Sequence, residues 1–229
     1  MIKVENVSKA YELDDGTKVT ALKDVSFEVR KGEIHGLIGE NSAGKTTLIK
    51  CLVGIYKAEK GEILYDGKPV FDQPKVKENI GYVADYNSYL RGYTVGRLVK
   101  LYEAMYPDFS MEKFQSMNEK FHLEMKSVVQ SLSKGQKTKL AFMLAMSSGA
   151  TYLILDEPTA NFDPEFRKEF LSILFIHNLS DSSSRQQLRF ISKASLKSKS
   201  SLYVGAYRMA FLSLGIFSFF LNSALYSSV

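Results

Sequence analysis

The chain has 229 residues, 45% of them hydrophobic and 12% aromatic, and a formal net charge of +5. That length and apolar content suit one α/β domain with a sizeable core, or a domain plus an appendage, and do not make disorder the default expectation. Lys and Glu are mixed with no basic stripe, so no nucleic-acid partner is expected, and the single Cys51 excludes an internal disulfide and a cysteine-rich zinc site.

The start, MIKVENVSKAY, is charged and has no apolar run, which predicts no secretory leader and a cytosolic position for the N-terminal part. Ile2 to Val7 alternate apolar and charged, as a half-exposed strand does. After a turn at Asp14-Asp15-Gly16, a second strand pattern runs through Ala21, Leu22, Val25, Phe27 and Val29. Together they predict a small antiparallel sheet. Lys31-Gly32-Glu33 turns into the next segment, Ile34 to Ile49, IHGLIGENSAGKTTLI, in which an apolar strand meets a glycine-containing loop and then an amphipathic helix bearing Leu48, Ile49, Leu52 and Val53.

Within it, Gly39, Glu40, Asn41, Ser42, Ala43, Gly44, Lys45 and Thr46 fit the phosphate-loop pattern G-x-x-x-x-G-K-[ST]. The two glycines let successive N–H groups turn inward around an anion, and the helix beginning near Lys45 adds its N-terminal donors and positive dipole end. A nucleoside triphosphate is the expected ligand, with Lys45 against its outer phosphates and the Thr46 hydroxyl on magnesium.

Further along, Gly54 reads as a helix stop, Gly61 to Gly67 as a short strand closing in an Asp-Gly turn, and Ile80 to Val83 as an apolar strand ending at Ala84-Asp85. From Thr94 to about Gln130 the spacing is helical. Val95, Leu98, Val99 and Tyr102 form one face and Phe114, Met117 and Phe121 another, with Pro107-Asp108 between two helices. Ser131 to Gln136, SLSKGQ, opens a further helix. Tyr152 to Pro158, YLILDEP, is a buried strand ending in two carboxylates, and a helix bearing Phe166, Phe170, Ile173 and Leu174 follows a turn at Ala160 to Pro164.

Phosphate loop, IGYVAD, LSKGQ and YLILDEP stand in an order that resembles the nucleotide-binding subunit of an ATP-binding-cassette (ABC) transporter, over about residues 2 to 174. The resemblance implies an α/β P-loop NTPase core with an N-terminal antiparallel β subdomain and an inserted helical subdomain. It implies ATP and Mg2+ as cofactors, bound by Tyr11 stacking on adenine, by Gly39 to Thr47 including Thr47 itself, and, across a dimer interface, by Ser133, Gly135 and Gln136. Thr46, Asp85 and Asp156 are the expected metal residues, and Lys45 and Glu157 the catalytic ones, Glu157 polarising the attacking water. The implied partners are a second cassette and separate transmembrane permease subunits, at the inner face of the cell membrane. The alternatives are a non-transport ABC regulator and an inactive ATP-binding module; one phosphate loop and no inserted arm disfavour the regulator.

Three departures from the family pattern stand out. Asp85 occupies a position where many members carry Gln, and Lys134 replaces the first Gly of LSGGQ. Third, the pattern calls for another buried strand about thirty residues past Asp163, ending in Ser/Thr-His. No such strand is expected here, and His177 reads as an ordinary polar residue.

From Phe175 the text becomes Ser-rich and basic, then apolar from Met209 onward. The chain therefore divides into a cassette domain, 1–174, incomplete at its C-terminal end, and a tail, 175–229. One reading is a changed frame near Phe175. The other is a membrane anchor from Met209 to Tyr226, with Arg185, Arg189, Lys193, Lys197, Lys199 and Arg208 on its cytoplasmic side. Loss of the core strand favours the first, and predicts an unpaired sheet edge, aggregation and slow ATP turnover.

Overall fold

A computed structural model describes residues 1–30, 33–39, 42–85, 92–157, 166–167, 170, 172–173, 189–195 and 203–207. The chain divides into two compact units, residues 1–77 with 189–229, and residues 78–188.

In the first unit, β1 (Ile2–Glu12) pairs antiparallel with β2 (Lys18–Val29) and, on its other edge, with β4 (Lys60–Tyr65). The small strand β5 (Lys68–Pro69) completes a sheet ordered β2-β1-β4-β5. The alternation in β1 buries Ile2, Val4 and Val7 against Val25, Val29, Ile63 and Tyr65. Asn6, at φ 49°, marks a shift in register after Val4; its N–H donates to Ser26 Oγ at 2.8 Å. The expected antiparallel sheet is thus present and larger by the 61–67 strand, which does close in an Asp66-Gly67 turn.

Strand β3 (Ile34–Gly39) leads through the loop into α1 (Lys45–Leu52), which buries Leu48, Ile49, Cys51 and Leu52. Burial pushes the Cys51 thiol up to about 11, so it stays protonated and behaves as a core residue. Gly54 ends the helix at φ 68°, its N–H donating to the Cys51 carbonyl and that of Ile55 to the Lys50 carbonyl. A short helix, α2 (Pro74–Lys77), has no counterpart in the sequence reading.

The tail requires a correction. Strand β8 (Arg189–Ser195) pairs parallel with β3, from Ile34↔Phe190 to Gly39↔Ser195, and β9 (Tyr203–Tyr207) pairs antiparallel with the opposite edge of β3. A strand therefore follows the cassette where none was expected, and β3 has no open edge. The text RFISKAS has too few apolar residues to announce a buried strand; the backbone donors and acceptors of β3 select it. It ends at Ser195, and the histidine of the family pattern is not in it. The 209–226 stretch lies outside the described residues, among which no helix is long and apolar enough to cross a membrane.

In the second unit, β6 (Ile80–Val83) pairs parallel with β7 (Tyr152–Leu155), as Ile80↔Tyr152 through Val83↔Leu155. Helix α5 (Lys134–Ser147) is buried on nearly every side past Thr138, which places it at the centre of this unit. Around it lie α3 (Val95–Met105), burying Val95, Leu98 and Val99, and α4 (Met111–Phe121), burying Phe114, Met117 and Phe121. Phe166 meets Phe121 edge-on at 4.7 Å, and Phe170 lies 4.4 Å from Phe142. The helical text expected to reach Gln130 stops at Phe121. His122 adopts φ 52°, the Asn118 side chain clasps Leu123 through both its N–H and its carbonyl, and only a 3-10 turn follows at Val129–Ser131.

Candidate functional site: a phosphate loop and a strand-end carboxylate pair

The loop that leaves β3 is shaped by two left-handed residues, Ser42 at φ 72° and Gly44 at φ 80°. A Cβ on Gly44 would stand 2.2 Å from the Ala21 carbonyl oxygen, so no residue with a side chain fits without moving the loop. Glu40 and Asn41, both assigned to nucleotide binding on sequence, lie outside the described residues.

Helix α1 starts directly at Lys45, with Gly44 as its N-cap, no side-chain cap and no acidic residue in its first turn. Helices α3, α4 and α5 are instead capped by Thr94, Ser110 and Ser133. A helix start without a side-chain oxygen directs its amides and dipole at whatever anion the loop encloses. Lys45 is 3% exposed and its Nζ donates to the Gly39 carbonyl at the end of β3. A lysine ammonium beside the backbone amides at the start of α1 makes a donor set that a phosphate fits. Thr46 and Thr47 follow in the first turn of the helix.

Tyr11, near the end of β1, is brought to the same helix. Its OH donates to Thr47 Oγ1 at 3.0 Å, and its ring meets Tyr56 edge-on at 6.0 Å and 74°. Tyr56 and Lys50 were not singled out in the sequence. The signal that could have found them is the aromatic just past the Gly54 helix stop.

In the second unit, β7 is buried at all four positions and delivers Asp156, 3% exposed, whose N–H donates to the Val83 carbonyl at 2.8 Å. Glu157 adopts φ 50°, an uncommon conformation for a glutamate, of the kind that concentrates at functional sites. Tyr82 on β6 is pushed up to about 12, chiefly by burial and then by the charges of Asp156 and Asp85, so it remains a neutral phenol.

Asp85 follows β6, and its Oδ1 accepts from Lys134 Nζ at 2.9 Å. The two substitutions that depart from the family pattern are therefore bonded to each other. Lys134 is the first residue of α5, where a cation opposes the helix dipole, and Asp85 supplies the offsetting charge. Ser133 and Gln136 form a capping box: the Gln136 N–H donates to Ser133 Oγ at 3.2 Å, and the Ser133 N–H donates to Gln136 Oε1 at 3.0 Å. Gly135 lies in the same first turn.

Among the described residues no group of three or more His, Cys, Asp or Glu could hold a metal by itself.

Against known proteins, the family model described as ABC transporter matches residues 22–160. The ABC transporter ATP-binding protein YtrB of Bacillus subtilis strain 168 is 35% identical over 174 residues, covering 76% of this chain and 58% of that protein. The SkfA peptide export ATP-binding protein SkfE of the same strain is 34% identical over 169 residues, covering 71% and 68%. A putative ABC transporter ATP-binding protein of Mycoplasma pneumoniae is matched over 56% of its length, so the chain spans little more than half of some relatives.

Among solved structures, the dimeric ATP-binding cassette MJ0796 bound to ADP and Pi superposes with a TM-score of 0.73 at 22% identity, covering 84% of this chain and 88% of the other, which establishes the fold. The cbiO1 protein of Clostridium perfringens, part of a cbiONQ transporter complex, gives 0.64 at 28% identity, covering 85% and 78%. The family match over residues 22–160 and the likeness to SkfE, together with a glycine-shaped loop at the head of α1 and a strand-end Asp-Glu pair, show that the chain belongs to the ABC transporter family.

Proposed function

We propose that the chain is the ATP-binding and ATP-hydrolysing subunit of an ABC transporter, acting at the inner face of a membrane with a second cassette and a separate permease. The observation that carries the reading is the start of α1, where left-handed Ser42 and Gly44, an N-terminus without a side-chain cap and the buried Lys45 stand together.

In this reading the amides of residues 42–46 and the Lys45 ammonium neutralise charge that builds on the outer phosphates, and Tyr11 takes the base. Thr46 and Asp156 are assigned to Mg2+ by the family pattern, and Asp85 by its carboxylate at the place of the family's Gln; the ion would supply charge neutralisation in phosphoryl transfer. Glu157 orients the attacking water and accepts its proton. Ser133, Gly135 and Gln136 present the head of α5 to a nucleotide held by the opposite cassette. Relatives named for export and for import both occur in the family, so cargo and direction reside in the permease.

The chain's three histidines are His35, His122 and His177. His35 is buried on β3, His122 ends α4, and His177 lies outside the described residues. None stands at the end of β8, and turnover much slower than that of a relative carrying that histidine is expected. Steady-state phosphate release from the purified chain, beside ATP-dependent dimerisation, is the test. Absence of ATP binding would overturn the reading, ordinary turnover would overturn the impairment, and dimerisation without phosphate release would identify an inactive binding module.

A further inference from the structure

We infer that Tyr56, held by Lys50, is a positioning residue that sets the ring of Tyr11 for the nucleotide base. The inference rests on the proposed ATP site and extends it.

Tyr11 is attached at two points. Its hydroxyl donates to Thr47 Oγ1 at 3.0 Å, and its ring packs edge-on against Tyr56 with centroids 6.0 Å apart. One bond at the phenol end locates the ring but leaves it free to rotate; the edge contact fixes the plane. Tyr56 is itself held three ways. Lys50 Nζ donates to its hydroxyl at 3.3 Å, the same ammonium lies 5.0 Å from its ring centroid, and its backbone N–H donates to the Lys50 carbonyl at 3.0 Å. Lys50 and Thr47 both belong to α1, the helix whose first residues are Lys45 and Thr46. The base end and the phosphate end of the expected ligand are therefore referenced to one rigid helix, and Tyr56 is the link that orients the base end.

This arrangement separates two kinds of affinity. Inorganic tripolyphosphate engages the loop but has no base, so it is blind to the plane of Tyr11. ATP senses both. Titrations of the full chain with ATP and with tripolyphosphate, for the wild type, Tyr56→Ala, Tyr56→Phe, Tyr11→Ala and the double alanine variant, test the link.

Tyr56→Ala is expected to weaken ATP by about 3- to 10-fold, the scale of an aromatic edge contact, with tripolyphosphate unchanged. Tyr56→Phe keeps the ring edge and should recover most of the loss. Added to Tyr11→Ala, Tyr56→Ala should have no further effect, because it acts only through that ring. Equal weakening of ATP and tripolyphosphate by Tyr56→Ala would overturn the inference in favour of a merely structural role. So would unchanged ATP affinity in Tyr56→Ala where Tyr11→Ala binds less tightly. Should Tyr11→Ala bind ATP as the wild type does, Tyr11 is not the base platform, and the inference falls with that assignment while the phosphate loop stands. No ATP binding by the wild type would overturn the site as a whole.

Discussion

Helices α1 and α5 begin in opposite ways. Helix α1 starts from a left-handed glycine with no side-chain cap, whereas α5 starts from an extended serine whose hydroxyl and amide are both tied to Gln136. The capped start is complete within its own chain. The start of α1 has no side-chain cap, which suits the anion site proposed for it, whereas the start of α5 is a preformed surface. Lys134 sharpens the contrast. It places a half-exposed cation at the head of α5, where Asp85 neutralises it, while the cation at the head of α1, Lys45, is buried and its Nζ donates to the Gly39 carbonyl.

The contrast can be broken most decisively at Lys45. Lys45→Ala should lower ATP turnover by about 10²- to 10³-fold, the scale of losing one preorganised charge partner, with little change in unfolding midpoint. A variant with wild-type turnover would show that the loop does not bear the chemistry.

Gly44→Ala comes next. Its Cβ would collide with the Ala21 carbonyl in a backbone conformation disfavoured for alanine, and about 1–3 kcal/mol of stability should be lost in urea unfolding. Ser133→Ala removes one side of the capping box and should cost about 1 kcal/mol by the same measurement. The equivalent position in α1 has no cap to remove, so the two helix starts should differ in this respect.

The smallest effect belongs to the Asp85–Lys134 pair. Both side chains are about half exposed, so a double-mutant cycle with Asp85→Asn and Lys134→Gln should give a coupling of at most about 1 kcal/mol in stability. Its larger consequence is expected in ATP-dependent dimerisation. Freeing Lys134 leaves a cation at the head of α5, so Asp85→Asn and Lys134→Gln should shift dimerisation in opposite directions when followed by size-exclusion chromatography with ATP.

Much of this was legible without coordinates because it rests on local chemistry. A glycine that must be left-handed, a lysine at a helix start, Ser-x-x-Gln before a helix and Asp-Glu after four apolar residues each carry their own physical reason. The strand Arg189–Ser195 was not legible. Its text is weakly apolar, and what makes it a strand is the row of donors and acceptors offered by β3, which sequence periodicity cannot register. The end of α4 was missed for a related reason: Asn118 and Leu123 are compatible with helix, and the side-chain clasp that stops it exists only once the turn has formed.

The amino-acid sequence alone determined the family, the phosphate loop, the carboxylate pair and the antiparallel sheet, because spacing along the chain dictates those features within a few residues. Tertiary structure alone decided three others: that Asp85 and Lys134 neutralise each other, that the rings of Tyr11 and Tyr56 meet edge-on, and that β3 is flanked on both edges. Each joins residues separated by tens of positions, and only folding brings such partners within the few ångströms over which hydrogen bonds and ion pairs act.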